Sequence, residues 1–163
     1  MTATSSQFAP WTRVLVASRD RVLARSLEAA LQANGAEVRL WEGRGAWSAE
    51  AIQLEGVDVL LVETSGSRET EWALVERVRE RSPMVEIVAI SEDPVVEGAV
   101  QALRNGVYTL LAYPVSDDQL VEAITQATAR KRRGEQRIRA LETPFGEGPP
   151  LAAVGGPRKH NAP

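Results

Sequence analysis

Glu63, Ser91 and Tyr113 are the side chains best placed for chemistry in this 163-residue chain. Each closes a short apolar run: "DVLLVE" at 58–63, "VEIVAIS" at 85–91 and "VYTLLAY" at 107–113. In an open α/β sheet the C-terminal ends of the strands line the functional crevice. A carboxylate there can hold a metal, take a proton or accept a transferred group. A hydroxyl needs a neighbouring base to become a nucleophile. The chain has no cysteine, and its one histidine, His160, lies in the tail "ETPFGEGPPLAAVGGPRKHNAP". Thiolate zinc sites, cysteine nucleophiles and disulfides are therefore excluded, and a histidine-based centre is not expected. No triad-like partner stands beside Glu63, Ser91 or Tyr113, so an enzyme is not expected, nor a metal or a cofactor.

Two other stretches invite a binding role. The basic run "RKRRGEQRIR" at 130–139 clusters cations as a phosphate-binding surface would. No aromatic residues interleave with it and the net charge is −3, so a solvated helix extension is the expected reading and direct nucleic-acid binding is not. Ile138 and Leu141 would let that extension pair with a partner helix. The first strand–helix turn, "VASRDRVLA", contains no glycine, which weighs against a phosphate-cradling loop and a small-molecule-binding α/β domain. No apolar stretch approaches the roughly 20 residues needed to span a bilayer, and "MTATSSQFAP" lacks the pattern of a signal peptide. A cytoplasmic protein with no membrane partner is the expectation.

The elements that must position these residues alternate regularly. Strands are predicted at 13–18, 36–42, 57–62, 85–91 and 107–113 from their β-branched runs. Helices are predicted at 20–35, 48–56, 69–82, 94–106 and from about 117 to 140. Val22, Leu23, Leu27, Ala30 and Leu31 lie together on the first helix, which Asp20 is placed to cap. Ser48 is placed to cap the second, Trp72, Val75 and Val78 mark the buried side of the third, and Ser116 with Gln119 forms a capping box for the last. Trp41, Trp47 and Trp72 read as partly buried packing residues. Five strands alternating with five helices predict a doubly wound parallel sheet with helices on both faces. The organisation is a flexible segment at 1–11, a domain at 12–135, and a helix extension with a Gly/Pro-rich tail or linker at 136–163.

Over roughly residues 12–135 the chain resembles the receiver domain of two-component response regulators, the CheY-like members of the flavodoxin-like folds. The β/α order, the element lengths and "ALRNGVYTLLAYPV" carry the resemblance. It implies a strand order of 2-1-3-4-5 and a phosphorelay role. The family's site uses two acids after the first strand to hold Mg²⁺, an Asp ending the third strand as phosphoacceptor, a Ser/Thr ending the fourth, and a Lys before a proline ending the fifth. In this sequence the acid pair falls on Ser18 and Arg19, the acceptor on Glu63, the hydroxyl on Ser91 and the lysine on Tyr113, followed by Pro114. The aromatic switch position falls on Leu110. Of the five elements only Ser91 keeps its chemistry, which marks a degenerate pseudo-receiver.

The substitutions point one way. Glu63 is one methylene longer than Asp, which displaces its carboxylate by about 1.5 Å. Its fixed charge partly imitates a phosphorylated Asp, although a phosphoryl group carries more charge and more acceptors. Arg19 would repel Mg²⁺ and could pair with Glu63. The aromatic Tyr113 before Pro114 favours a cis peptide. The expected function is a phosphorylation-independent signal-transduction module acting by protein–protein interaction. Its partners are proteins, with a homodimer through the fourth helix, fifth strand and fifth helix, about residues 95–129. The alternative is the regulatory domain of a transcription regulator whose DNA binding lies in a partner or a further C-terminal domain.

Overall fold

The computed structural model describes residues 8, 12–41, 52–64, 69–92 and 96–142. Five strands form one sheet: β1 (Arg13–Ala17), β2 (Glu37–Trp41), β3 (Val59–Thr64), β4 (Glu86–Ser91) and β5 (Thr109–Ala112). Their order is β2-β1-β3-β4-β5 and every neighbouring pair is parallel. Four helices stand among the described residues: α1 (Arg21–Ala33), α2 (Glu69–Arg81), α3 (Val96–Arg104) and α4 (Asp117–Glu142).

Alternation along the central strands builds two cores, because successive side chains leave a pleated strand on opposite faces. Val14, Val16, Val59, Leu61, Val88 and Ile90 pack with Leu23, Leu27 and Leu31 of α1 and Leu120, Ile124 and Ala127 of α4. Leu15, Ala17, Leu60, Val62, Ile87 and Ala89 pack with Trp72, Val75 and Val78 of α2 and Ala102 of α3. Burial on both sides is what makes these strands read as continuous apolar runs.

Local chemistry sets the helix ends. Asp20 Oδ1 accepts from the Val22 and Leu23 amides at 2.8 and 3.2 Å and caps α1. Ser116 and Gln119 form the reciprocal capping box of α4, with both bonds at 3.2 Å. The buried stripe of α1 runs through Leu23, Ala24, Leu27 and Leu31, leaving Val22 81% exposed, one position off the stripe on which the sequence placed it.

The helix predicted over 48–56 is not present in its described part, 52–56. There the chain turns, with the Val57 amide donating to the Leu54 carbonyl at 3.1 Å and Gly56 at φ +74°. A three-residue closure of that kind ends in the extended backbone that enters β3 and leaves no helical ladder to continue. Residues 42–51, including Trp47 and Ser48, and the tail beyond Glu142 lie outside the described residues. Within the segment 1–11, read from sequence as flexible, Phe8 is buried in the α1/α4 core and its amide donates to the Asn34 carbonyl at 3.0 Å.

At the N-terminal end of the sheet a charged cluster locks three elements. Asp58 Oδ2 accepts from the Arg13 amide at 2.8 Å, and Asp58 Oδ1 accepts from Lys131 Nζ of α4 at 2.8 Å. Lys131 also pairs with Glu135 at 2.8 Å. Burial opposes its charge, but the two carboxylates outweigh that and hold the ammonium above its ordinary value. Arg79 reaches the Gly106 carbonyl through Nε at 2.9 Å and stands 3.6 Å from the buried Glu86, which Arg130 also approaches at 3.6 Å.

Candidate functional site

The C-terminal ends of β1, β3, β4 and β5 bring the sequence-selected residues to one rim of the sheet. β1 and β3 are paired with Ala17 opposite Val62, so the next rung sets Ser18 beside Glu63. The Ser18 hydroxyl donates a hydrogen bond to Glu63 Oε2, and its oxygen accepts from the Asp20 amide at 3.0 Å. Ser18 is buried and Glu63 half-buried, whereas Arg19 is exposed. A contact on the Glu63 carboxylate thus comes from the hydroxyl of Ser18, the residue on which the resemblance sets the first acid.

Ser91 stands differently. In the β3–β4 register Glu63 is opposite Ile90, and Thr64 is opposite Ser91. Glu63 therefore leaves the sheet on the α1/α4 side, and Ser91 leaves with Thr64 on the α2/α3 side. Both hydroxyls are buried to within 1% of full burial, and among the described residues neither has a hydrogen-bond partner. The backbone of the same residue is engaged, since the Ser91 carbonyl accepts from the Tyr113 amide at 2.8 Å. Tyr113 is 41% exposed at the end of β5 and its peptide with Pro114 is cis. Leu110 is half-buried against the α2/α3 core, while Leu111 next to it packs on the α1/α4 core.

This donor set does not fit Mg²⁺ with a phosphoryl group. Magnesium needs hard oxygen ligands in near-octahedral geometry, usually carboxylates completed by phosphate oxygens and water. Glu63 is engaged by Ser18, and Asp20 is engaged in capping α1. A guanidinium, Arg19, stands in sequence between Ser18 and Asp20, and a phenol stands where a balancing ammonium would be. Among the described residues no group of three or more His, Asp or Glu side chains is arranged to hold a metal ion.

With this geometry the relationship to known proteins can be read. The chain matches no protein-family model, and no curated protein is significantly similar to it. Solved structures do match. One is a Burkholderia pseudomallei protein described as pilus assembly-related, with 24% identity, TM-score 0.66, and coverage of 76% of this chain and 93% of that one. A Burkholderia thailandensis protein described as a pilus assembly protein (cpaE) has 25% identity, TM-score 0.62, and coverage of 72% and 98%. A response regulator receiver domain protein of Clostridium thermocellum has 17% identity, TM-score 0.64, and coverage of 75% and 98%. The fold is that of a receiver domain. Its strand order is the one the sequence resemblance implied.

Sequence reasoning singled out Ser18, Glu63 and Ser91 but not Thr64, and it missed the Ser18–Glu63 bond, which joins residues 45 apart. A signal existed: a small hydroxyl in place of the first acid can approach a lengthened carboxylate without repelling it. Sequence reasoning also missed the Asp58–Lys131 lock, whose partners are 73 residues apart and carry no local signature. Among the described residues no helix is long and apolar enough to cross a membrane.

Proposed function

We propose that this chain is a receiver-like signal-transduction module that works by contact with protein partners and does not depend on phosphorylation. The observation that carries the reading is the hydroxyl–carboxylate bond between Ser18 and Glu63. In a working receiver the corresponding rung presents an Asp oxygen to a phosphoryl donor and acids to Mg²⁺. Here the longer carboxylate is turned onto a neighbouring hydroxyl, and a misplacement of the order of 1 Å already costs about 10²-fold in such chemistry. The Glu63 charge is permanent, so it supplies one fixed state rather than a switched one. A change of state would then require a partner with different affinity for two conformations.

The contact surface follows from exposed apolar residues. Val100 and Leu103 of α3 are 41% and 74% exposed, and Tyr113 stands beyond the end of β5, one of the two edge strands of the sheet. Such side chains on the α3–β5–α4 side suit a protein partner or a second copy. The two pilus-assembly descriptions among the related structures favour a docking role within a larger assembly over a phosphorelay step.

The test is incubation with acetyl phosphate and Mg²⁺, followed by intact-mass measurement under conditions that preserve acyl phosphates. No mass gain is expected. Saturable, Mg²⁺-dependent modification of Glu63 would overturn the reading.

A further inference from the structure

The stripe that seats α4 on the sheet continues past the domain. Leu120, Ile124 and Ala127 are buried. The same alternating steps of four and three residues run on through Lys131, Gly134, Ile138 and Leu141. That 3.5-residue repeat is the period of a left-handed coiled coil. Where the domain still reaches the helix, the stripe is covered. Lys131 is held by Asp58, and a Cβ on Gly134 would stand 3.2 Å from Met84 Cε. Beyond that point it emerges, with Ile138 43% and Leu141 86% exposed.

The flanking charges select what covers it. With Ile138 at position a and Leu141 at d, Arg130 and Arg137 fall at g, and Glu135 and Glu142 fall at e. In a parallel pair, g of one helix faces e of the next heptad on the other, five residues on. Arg137 then meets Glu142 of the second copy, and Glu142 meets its Arg137, so both pairings at the emerging stripe join opposite charges. An antiparallel pair would set arginine on arginine and glutamate on glutamate. Inside the protomer Arg130 approaches Glu86 and Glu135 pairs with Lys131. Arg137 and Glu142 are exposed on the helix surface beside the emerging stripe. An isoleucine at a with a leucine at d also favours two strands.

We propose that residues 137–142 of α4 pair with a second copy of this chain as a parallel, in-register, two-stranded coiled coil. A seam of less than two heptads makes the dimer weak and concentration-dependent. The proposal rests on the reading of the chain as a contact module. No seam residue lies at the crevice, so either can fail without the other.

The absence of cysteine from the sequence gives a direct test. Under mild oxidation of the full chain, Leu141→Cys should cross-link into a covalent dimer. Gln136→Cys, on the outer f position, should not. By sedimentation equilibrium, Arg137→Glu or Glu142→Arg alone should weaken the dimer about tenfold, as two attractive pairs become repulsive. An equimolar mixture of the two variants should restore it, because each then meets its complement. Circular dichroism would confirm that each variant is folded. A monomer at all concentrations with no cross-link at position 141 would overturn the proposal, as would equal cross-linking at both positions. A dimer indifferent to the charge swaps but lost in Leu103→Asp would also overturn it, and would place self-association on the α3–β5–α4 face instead.

Discussion

The Ser18 hydroxyl is hydrogen-bonded to the Glu63 carboxylate at the C-terminal ends of β1 and β3. This one contact engages the Glu63 carboxylate within its own sheet. A hydrogen bond to a charged group contributes more than a neutral one, and the acceptor is half-buried.

Ser18→Ala should therefore destabilise the fold by about 1–2 kcal/mol in urea titration. In a Glu63→Gln background the same substitution should cost less, because the carboxylate that needs the donor is gone. Additive effects across that double-mutant cycle would show that the bond contributes nothing.

Lys131 carries a pH signature. Its folded-state pKa is raised because Asp58 and Glu135 overcome the opposing effect of burial. A group with a raised folded pKa contributes stability that is fully present below its unfolded value and is lost as pH rises through the folded one. Chemical-denaturation stability should thus hold up to about pH 10.5, the ordinary lysine value, and then fall. Lys131→Met should remove that alkaline component and cost about 1–3 kcal/mol at pH 7, since Asp58 would keep only the Arg13 amide.

Gly106 is the turn between α3 and β5, at φ +73°, and a Cβ there would stand 3.1 Å from Arg79 Nε. Gly106→Ala should destabilise by about 1–2 kcal/mol from backbone conformation alone. Thermal melts of Gly106→Ala and Arg79→Ala, singly and combined, would show whether the Arg79–Gly106 contact adds to that cost.

The two ends of α4 should respond differently to the same kind of change. Ile124 is fully buried between α1 and the sheet, and Ile124→Ala should cost about 2–5 kcal/mol. Leu141, on the same stripe but 86% exposed, should change monomer stability by less than about 0.5 kcal/mol when replaced by Ala. Urea midpoints measured at dilute concentration would separate the two.

The residues that shaped the local structure were legible in the sequence because their partners are close. Asp20 caps the amides two and three residues on, and Ser116 with Gln119 closes a box within one turn. The apolar runs of β1, β3 and β4 are long enough to identify strands buried on both faces. Their boundaries were less legible. β3 runs through Glu63 to Thr64, whereas the run of apolar residues stops at Val62, because pairing with β4 carries the ladder past the last apolar side chain. The turn at 54–57 looked helical because Ala, Glu, Ile, Gln and Leu are good or tolerable helix formers, and a propensity of a few tenths of a kcal/mol per residue yields readily to chain closure.

By itself the sequence determined the order of the five strands, the caps of α1 and α4, and which residue types occupy the crevice positions, since each depends on near neighbours or on a periodic pattern. Only the tertiary structure decided which of those residues meet. Ser18 finds Glu63 because the β1–β3 register sets them on one rung, and Ser91 is turned to the other face because it lies one residue past the partner of Glu63. The same holds for Asp58 and Lys131, and for the point at which the stripe of α4 leaves the domain. Register is set by the sum of packing over a whole sheet, while a hydrogen bond forms only within about 3 Å and along one direction. A shift of one residue would exchange every one of these partners without altering a single local signal.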